Sequence, residues 1–365
     1  MRVALVHYWL TNMRGGERVL KAFADMFPQA DIFTHVVDPS RISEGLKAHR
    51  IETSFISKMP FAVKHYQKYL PFMPRALEEL DLSAYDLVIS SESGPAKGVI
   101  PRPDAFHMCY CHSPMRYIWD LFGEYRSSAG FLARQVFPGI AHRLRTWDVT
   151  SAARVDQFVA NSSFVARRIE KYYRREAEVI FPPVATEAFS AEPVREPADY
   201  YLAAGEFVGY KRFDLVVDAF TRSGRRLVVV GDGEERKKLE KRAGTNVEFL
   251  GRVDFATLKH HFATARALVF PGEEDFGMVP VEVMASGRPV IAYGRGGALD
   301  TVRHGETGWL FSDQSVDGLI EAVEAFEQQD FDSQTLRTHA EQFGMEPFRQ
   351  KVTDLLARNG IDVPG

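Results

Sequence analysis

The sequence predicts an α/β protein built from two domains, each a doubly wound parallel sheet. Three observations carry that expectation. A chain of 365 residues has the length of two domains. Both halves repeat one rhythm: a short apolar run, a glycine-containing turn, then a segment with helical spacing of apolar residues. Residues 268–297, LVFPGEEDFGMVPVEVMASGRPVIAYGRGG, show that rhythm most completely. There, residues 267–270 read as a buried parallel strand, and Pro271 and Gly272 stop it. Val279, Val283 and Met284 recur at helical spacing over residues 279–285, and Gly287 and Pro289 close the helix. Residues 289–292 form the next strand, and a second glycine turn follows at 294–297.

The first half opens with a strand at residues 2–7, a loop at 12–17 holding Gly15 and Gly16, and a helix at 18–27. Glycines in that first turn let a ligand approach the backbone, although the spacing is not a G-x-G-x-x-G dinucleotide fingerprint. Strands follow at 31–35, 85–91 and 107–112. Residues 61–74, FAVKHYQKYLPFMP, are aromatic and basic, which suits either a packed helix with one solvated face or contact with a membrane surface. His112 ends its strand before Ser113-Pro114, at the edge where α/β sheets bind ligands. An arginine-rich helix is expected over 129–154, a strand over 156–160, a helix capped by residues 161–163, and a last strand at 179–181.

Residues 182–197 are proline-rich, lack periodicity and read as a linker. The expected domains are 1–185 and 186–342. A final amphipathic helix within 343–365 is expected to pack back on the first domain. In the second half, strands are expected at 200–204, 226–230, 246–250 and 308–311, and helices at 213–220, 316–326 and 345–358. The loop after the strand at 200–204 carries Glu206, Lys211 and Arg212. Arg252 and Val253 follow the strand at 246–250.

Composition excludes several classes. A net charge of −4 gives no reason to expect a nucleic-acid binder. No stretch approaches 18 uninterrupted apolar residues, so no membrane span is expected, and the apolar run at the N-terminus is too short for a signal peptide. The two cysteines, Cys109 and Cys111, are expected to stay reduced, on opposite faces of one strand, in a cytosolic protein. No metal-ligand pattern stands out.

The loop at Gly277-Met278-Val279 opens a helix, where free amides and the dipole favour phosphate. Glu274 and Glu282 flank it. If the chain between them were wholly helical they would stand about 12 Å apart. That is too far for the paired carboxylates of a retaining glycosidase, roughly 5 Å apart. It suits two acids that reach different hydroxyls of one extended ligand. Glu274-x7-Glu282 with Phe276-Gly277 inside, followed by Met284-Ala285-x-Gly287-x-Pro289-Val290, resembles the donor signature of glycosyltransferase family 4. The segments HSPMRYIWD, YLPFMP and YDLVISS are similar to a bacterial branch that includes mannosyltransferases of surface-polysaccharide assembly.

The resemblance implies the GT-B architecture, two Rossmann-like domains facing a cleft, and a retaining transfer of a hexose from a sugar nucleotide. Mannose from GDP-mannose is the first expectation, and the acceptor is a glycan or polyprenyl-linked glycan. It implies that Glu274 meets the hexose, Glu282 the ribose, the amides of Met278 and Val279 the diphosphate, and His112 the sugar near the reacting carbon. Arg252, Val253, Phe276 and Gly277 complete the donor site, and the resemblance places Gly15 and Gly16 beside the donor phosphates or the acceptor. Lys211 and Arg212 would neutralise the leaving diphosphate, so neither a metal nor a cofactor beyond the GDP- or UDP-hexose co-substrate is required. The cysteines, the charge balance and the aromatic, basic segment 61–74 add the expectations of a cytoplasmic enzyme, of no nucleic-acid partner, and of either a peripheral contact on the inner membrane or a packed helix. Glu206 departs from the pattern, because the family usually has arginine there. Arg212 is the expected replacement. An epimerase or phosphorylase of the same architecture, or a non-catalytic assembly scaffold, remain the alternatives.

Overall fold

A computed structural model of the chain describes residues 1–363 except 129, 192, 194 and 195. Ala129, the expected start of the arginine-rich helix, and Glu192, Val194 and Arg195 of the expected linker lie outside the described residues, as do Pro364 and Gly365. The chain divides into two units. One comprises Met1–Phe181 with Arg349–Gly365, and the other Pro182–Phe348.

Among the described residues, the first unit holds a seven-stranded sheet ordered β3-β2-β1-β4-β5-β6-β7. Its strands are β1 (Val3–His7), β2 (Asp31–Thr34), β3 (Ile51–Thr53), β4 (Leu87–Glu92), β5 (Phe106–Cys111), β6 (Gln157–Ala160) and β7 (Ala177–Val179). All pairs are parallel. Every residue of β1 and β4 is buried. That is why β1 and the first half of β4, Leu87-Val88-Ile89, read as apolar runs rather than alternating ones, since a parallel sheet is covered on both faces, while Ser90, Ser91 and Glu92 are buried polar residues at the carboxyl end of β4. The order reverses between β1 and β4, where His7 lies in register with Ser91. At such a reversal the flanking loops diverge and leave a crevice beyond the carboxyl ends of the strands.

The second unit repeats the plan with six strands ordered β10-β9-β8-β11-β12-β13. They are β8 (Tyr201–Glu206), β9 (Leu227–Asp232), β10 (Val247–Gly251), β11 (Leu268–Phe270), β12 (Val290–Tyr293) and β13 (Gly308–Phe311), again all parallel. The reversal falls between β8 and β11. One core cluster lies between this sheet and the helices Phe213–Ser223 and Val316–Phe326. It includes Tyr201, Phe207, Phe220, Val269, Ile291 and Phe326.

Several expectations are corrected. The first helix begins at Gly15, three residues early, so Gly15 and Gly16 form its opening turn instead of a free loop. The proline-rich linker contains a helix, Thr186–Ser190. β8 runs on through Glu206, which places that carboxylate at a strand end. Cys109 and Cys111 lie in one apolar cluster, because a separation of two is a full strand period and returns the side chain to the same face. Both are free thiols. The helix Met278–Ala285 buries Pro280, Val281, Glu282, Val283, Met284 and Ala285. It is covered all round because the helices Thr186–Ser190 and Ser333–Glu341 pack on it, and neither was foreseen.

Candidate functional site

The second unit gathers three loops at the carboxyl ends of neighbouring strands. The loop after β8 carries Lys211 and Arg212, the loop after β11 carries Glu274 and Phe276, and the loop after β12 carries Arg295. Backbone packing welds them. A Cβ on Gly272 would lie 2.8 Å from the Lys211 Cα, and one on Gly297 would lie 2.3 Å from the Phe276 Cα. The Gly297 amide donates to the Glu274 carbonyl at 2.9 Å. Only glycine permits these approaches.

At the centre, Lys211 Nζ stands 2.9 Å from Glu274 Oε1, each side chain less than a fifth exposed. Burial works against the ammonium, but the Glu274 carboxylate, with Glu206 adding to it, holds its pKa above the usual value. Lys211 is therefore charged at any working pH. Arg212 adopts a left-handed backbone, φ +55°, at the cap of the helix Phe213–Ser223. Its guanidinium is occupied: Nε donates to Asp214 Oδ1 at 3.1 Å and Nη1 to Gln314 Oε1 at 3.1 Å. Gln314 in turn donates to the Pro271 carbonyl at 2.8 Å. Arg212 thus ties the strand-end loops together, which is not the free phosphate clamp that the sequence suggests.

Gly277 caps the helix Met278–Ala285 with φ +83°, and a Cβ there would stand 3.0 Å from the Phe270 ring. Residues Met278 and Val279 open the helix, so their amides have no intrahelical acceptor. Phe276 is buried against Phe343, ring centroids 5.8 Å apart. Glu282 lies beyond the first turn and is 6% exposed. Arg252 and Val253 follow β10, the edge strand two places from β8. At about 4.8 Å per strand, that puts them about 10 Å from the β8 axis. The structure pairs Lys211 with Glu274 and sets Phe276, Gly277, Met278 and Val279 on the loop and helix start that follow β11, with Glu282 further along that helix, whereas Arg252 and Val253 follow another strand, β10.

The first unit places a second group of residues at its own reversal. His112 follows β5, and its Nε2 lies 2.9 Å from the Ser91 hydroxyl at the end of β4. Burial, with His7 adding to it, pushes the His112 imidazole down to about 3, so the ring is neutral at pH 7. His7 is fully buried with Nε2 3.9 Å from Glu17 Oε1, and among the described residues neither ring nitrogen has a hydrogen-bond partner. Glu17 caps its own helix by accepting from the Arg14 amide at 2.9 Å. Gly16 packs on Tyr8, whose hydroxyl would lie 2.4 Å from an added Cβ.

Behind His112 stands a cluster that sequence reasoning missed. Lys97, Glu92 and Asp148 are all fully buried. Lys97 Nζ donates to Glu92 Oε1 at 3.2 Å and also to Asp148, which further accepts from Trp119 Nε1 at 2.7 Å and the Tyr173 hydroxyl at 3.0 Å. The Glu92 carbonyl accepts the His112 amide at 2.7 Å. The available signal was Ser91-Glu92 at a strand end with Lys97 five residues on; nothing in the sequence pointed to Asp148. Among the described residues no group of three or more His, Cys, Asp or Glu side chains could hold a metal, and no helix is long and apolar enough to cross a membrane.

Comparison with known proteins bears on both units. The profile described as "Glycosyltransferase Family 4" matches residues 13–188, and "Glycosyl transferases group 1" matches 184–343. The lipopolysaccharide core biosynthesis glycosyltransferase LpsE of Rhizobium meliloti is 30% identical over 216 residues, 54% of this chain and 62% of the relative. A GDP-mannose-dependent alpha-mannosyltransferase of Mycolicibacterium smegmatis is 38% identical over 122 residues, 33% of this chain and 32% of the relative. The chain spans about half the length of the first curated relatives it matches. The crystal structure of Anabaena Alr3699/HepE in complex with UDP superposes with a TM-score of 0.70 at 16% identity, covering 98% of this chain and 100% of that one, a likeness of fold. Two parallel-sheet units of this topology, matched in turn by these two profiles, place the chain in glycosyltransferase family 4, with the GT-B fold.

Proposed function

We propose that this protein is a retaining glycosyltransferase that moves a hexose from a sugar nucleotide to a hydroxyl of a glycan or polyprenyl-linked glycan. Mannose from GDP-mannose is the donor we favour. The observation that carries the reading is the Lys211–Glu274 pair at the reversal between β8 and β11, beside the amides that open the helix Met278–Ala285. A charged ammonium beside a helix N-terminus suits a diphosphate. The matched mannosyltransferase named as GDP-mannose-dependent and the matched lipopolysaccharide core enzyme support the choice of donor and of acceptor class.

In this reading the diphosphate lies on Met278 and Val279, and Lys211 stabilises the charge that develops as the sugar–phosphate bond breaks. Glu274 orients hexose hydroxyls and keeps Lys211 in place. Glu282 holds the ribose. Neutral His112 offers a hydrogen bond to the sugar. The acceptor oxygen attacks the anomeric carbon on the face the diphosphate leaves, and its proton passes to the departing phosphate oxygen. The charge is carried by Lys211 and amides, so the proposal requires no metal. Peripheral membrane contact belongs to the same proposal. Phe61 and Phe72 are 78% and 51% exposed, among exposed Lys58, Lys64 and Lys68. That combination suits an anionic bilayer bearing the acceptor.

The test is the stereochemistry of the product. GDP-mannose and an acceptor glycan should give a product whose one-bond coupling between the anomeric carbon and its proton in NMR matches the configuration of the donor. An inverted product would overturn the retaining mechanism.

A further inference from the structure

The donor-side loops of the second unit are short of available positive charge. Lys211 is paired with Glu274, and Arg212 is held by Asp214 and Gln314. Glu206, Glu273 and Asp275 add carboxylates to the same strand ends, and Glu282 adds one inside the helix that follows. A nucleoside diphosphate carries between two and three negative charges and would meet a site that is net acidic. One cation on these loops is differently placed. Arg295 is exposed in the loop after β12, and among the described residues no hydrogen bond or ion pair engages its guanidinium. Its backbone amide donates to the Tyr293 carbonyl at 2.7 Å, which fixes the turn.

The loop that carries Arg295 is tied to the Glu274 loop. Gly296 has φ +63°, and a Cβ there would lie 2.3 Å from the Glu274 carbonyl oxygen. The next amide, Gly297, donates to that same oxygen. Arg295 is therefore anchored one residue from the backbone of the acid proposed to meet the sugar. The Arg295 side chain thus rises from a loop packed on the backbone of Glu274 and Phe276, next to the segment that leads into the Gly277–Met278 turn.

We infer that Arg295 supplies the second positive charge of the donor site, gripping the diphosphate that Lys211 alone cannot balance. The guanidinium fork matches two phosphate oxygens at once. Its freedom from internal partners is what leaves it available, in contrast to Arg212. This inference rests on the sugar-nucleotide reading above and deepens it.

Calorimetric titration of the full chain with GDP and with GMP tests it. Arg295→Gln should weaken GDP binding roughly tenfold or more, the scale of a lost charge-assisted hydrogen bond, and should weaken GMP binding much less. Arg295→Lys, which keeps the charge, should lose less than Arg295→Gln. The residue is exposed, and an unchanged thermal unfolding curve would confirm that the variants fold. Unaltered GDP affinity in Arg295→Gln, or equal losses for GDP and GMP, would overturn the inference and leave the functional reading standing. An unaltered chain that binds none of GDP, UDP and ADP would overturn both.

Discussion

Glu282 and His112 are the two residues whose roles are easiest to separate. Glu282 is nearly buried within a helix that opens at the candidate diphosphate site. Glu282→Ala should weaken free nucleoside diphosphate by about 1.5–3 kcal/mol, the loss of charged hydrogen bonds to the ribose. Calorimetry that returns the same affinity would refute that role. His112 should act on turnover alone. Its pKa of about 3 keeps it neutral across the working range, because a lowered value means the proton is already gone above pH 4. His112→Ala should therefore reduce kcat with little change in nucleotide affinity. The pH–rate profile of the unaltered protein should show no limb near 6.5 owing to this ring. A limb near that pH that disappears in His112→Ala would show that the ring titrates in the folded protein and would refute this role.

At the scale of elements, the loops around Glu274 depend on glycines that admit no side chain. Gly297 has an ordinary helical backbone, so any harm from Gly297→Ala comes from its Cβ meeting the Phe276 backbone at 2.3 Å. Crowding of that kind typically costs about 1–3 kcal/mol. Urea unfolding should show such a loss, and nucleotide affinity should fall with it because the Glu274 loop must shift. The buried Lys97–Glu92–Asp148 cluster behind His112 makes a different prediction. Burial raises the Glu92 carboxyl from 4.5 to about 7, with Lys97 opposing that rise and Asp148 adding to it. The folded state thus holds this proton more tightly than the unfolded state, and the contribution to stability is complete below 4.5 and lost as the pH climbs through about 7. Between those pH values the wild type should lose stability relative to Glu92→Gln. A constant difference in unfolding free energy across that window would show that Glu92 does not titrate there.

These same elements mark what the sequence could reveal. Strands bounded by glycine and proline were readable because a buried parallel strand has no polar face to disguise it. The Glu274–Glu282 spacing was readable because both acids lie in one continuous stretch. The start of the first helix was misplaced because glycines at 15 and 16 suggest a loop, while their helical backbone is held by the Glu17 cap and the contact with Tyr8. The Arg212–Gln314 hydrogen bond and the Asp148 cluster were not readable. Gln314 is 102 residues from Arg212, and Asp148 is 51 from Lys97, so only the folded chain brings them together.

At the scale of the molecule, the two units answer one design. Each has a sheet that reverses its strand order, and each sets its polar residues at the carboxyl ends beside that reversal. Both family profiles fall on those units in sequence. The central claim is that the second unit binds a sugar nucleotide from which the protein transfers the hexose. Phosphorus-31 NMR of the protein with GDP-mannose, UDP-glucose or UDP-galactose, with and without an acceptor glycan, tests it most directly. One donor should be consumed, with signals of its free nucleoside diphosphate growing much faster when acceptor is present. No nucleoside diphosphate from any donor in the presence of acceptor, or consumption that needs inorganic phosphate and yields a sugar 1-phosphate, would contradict the account.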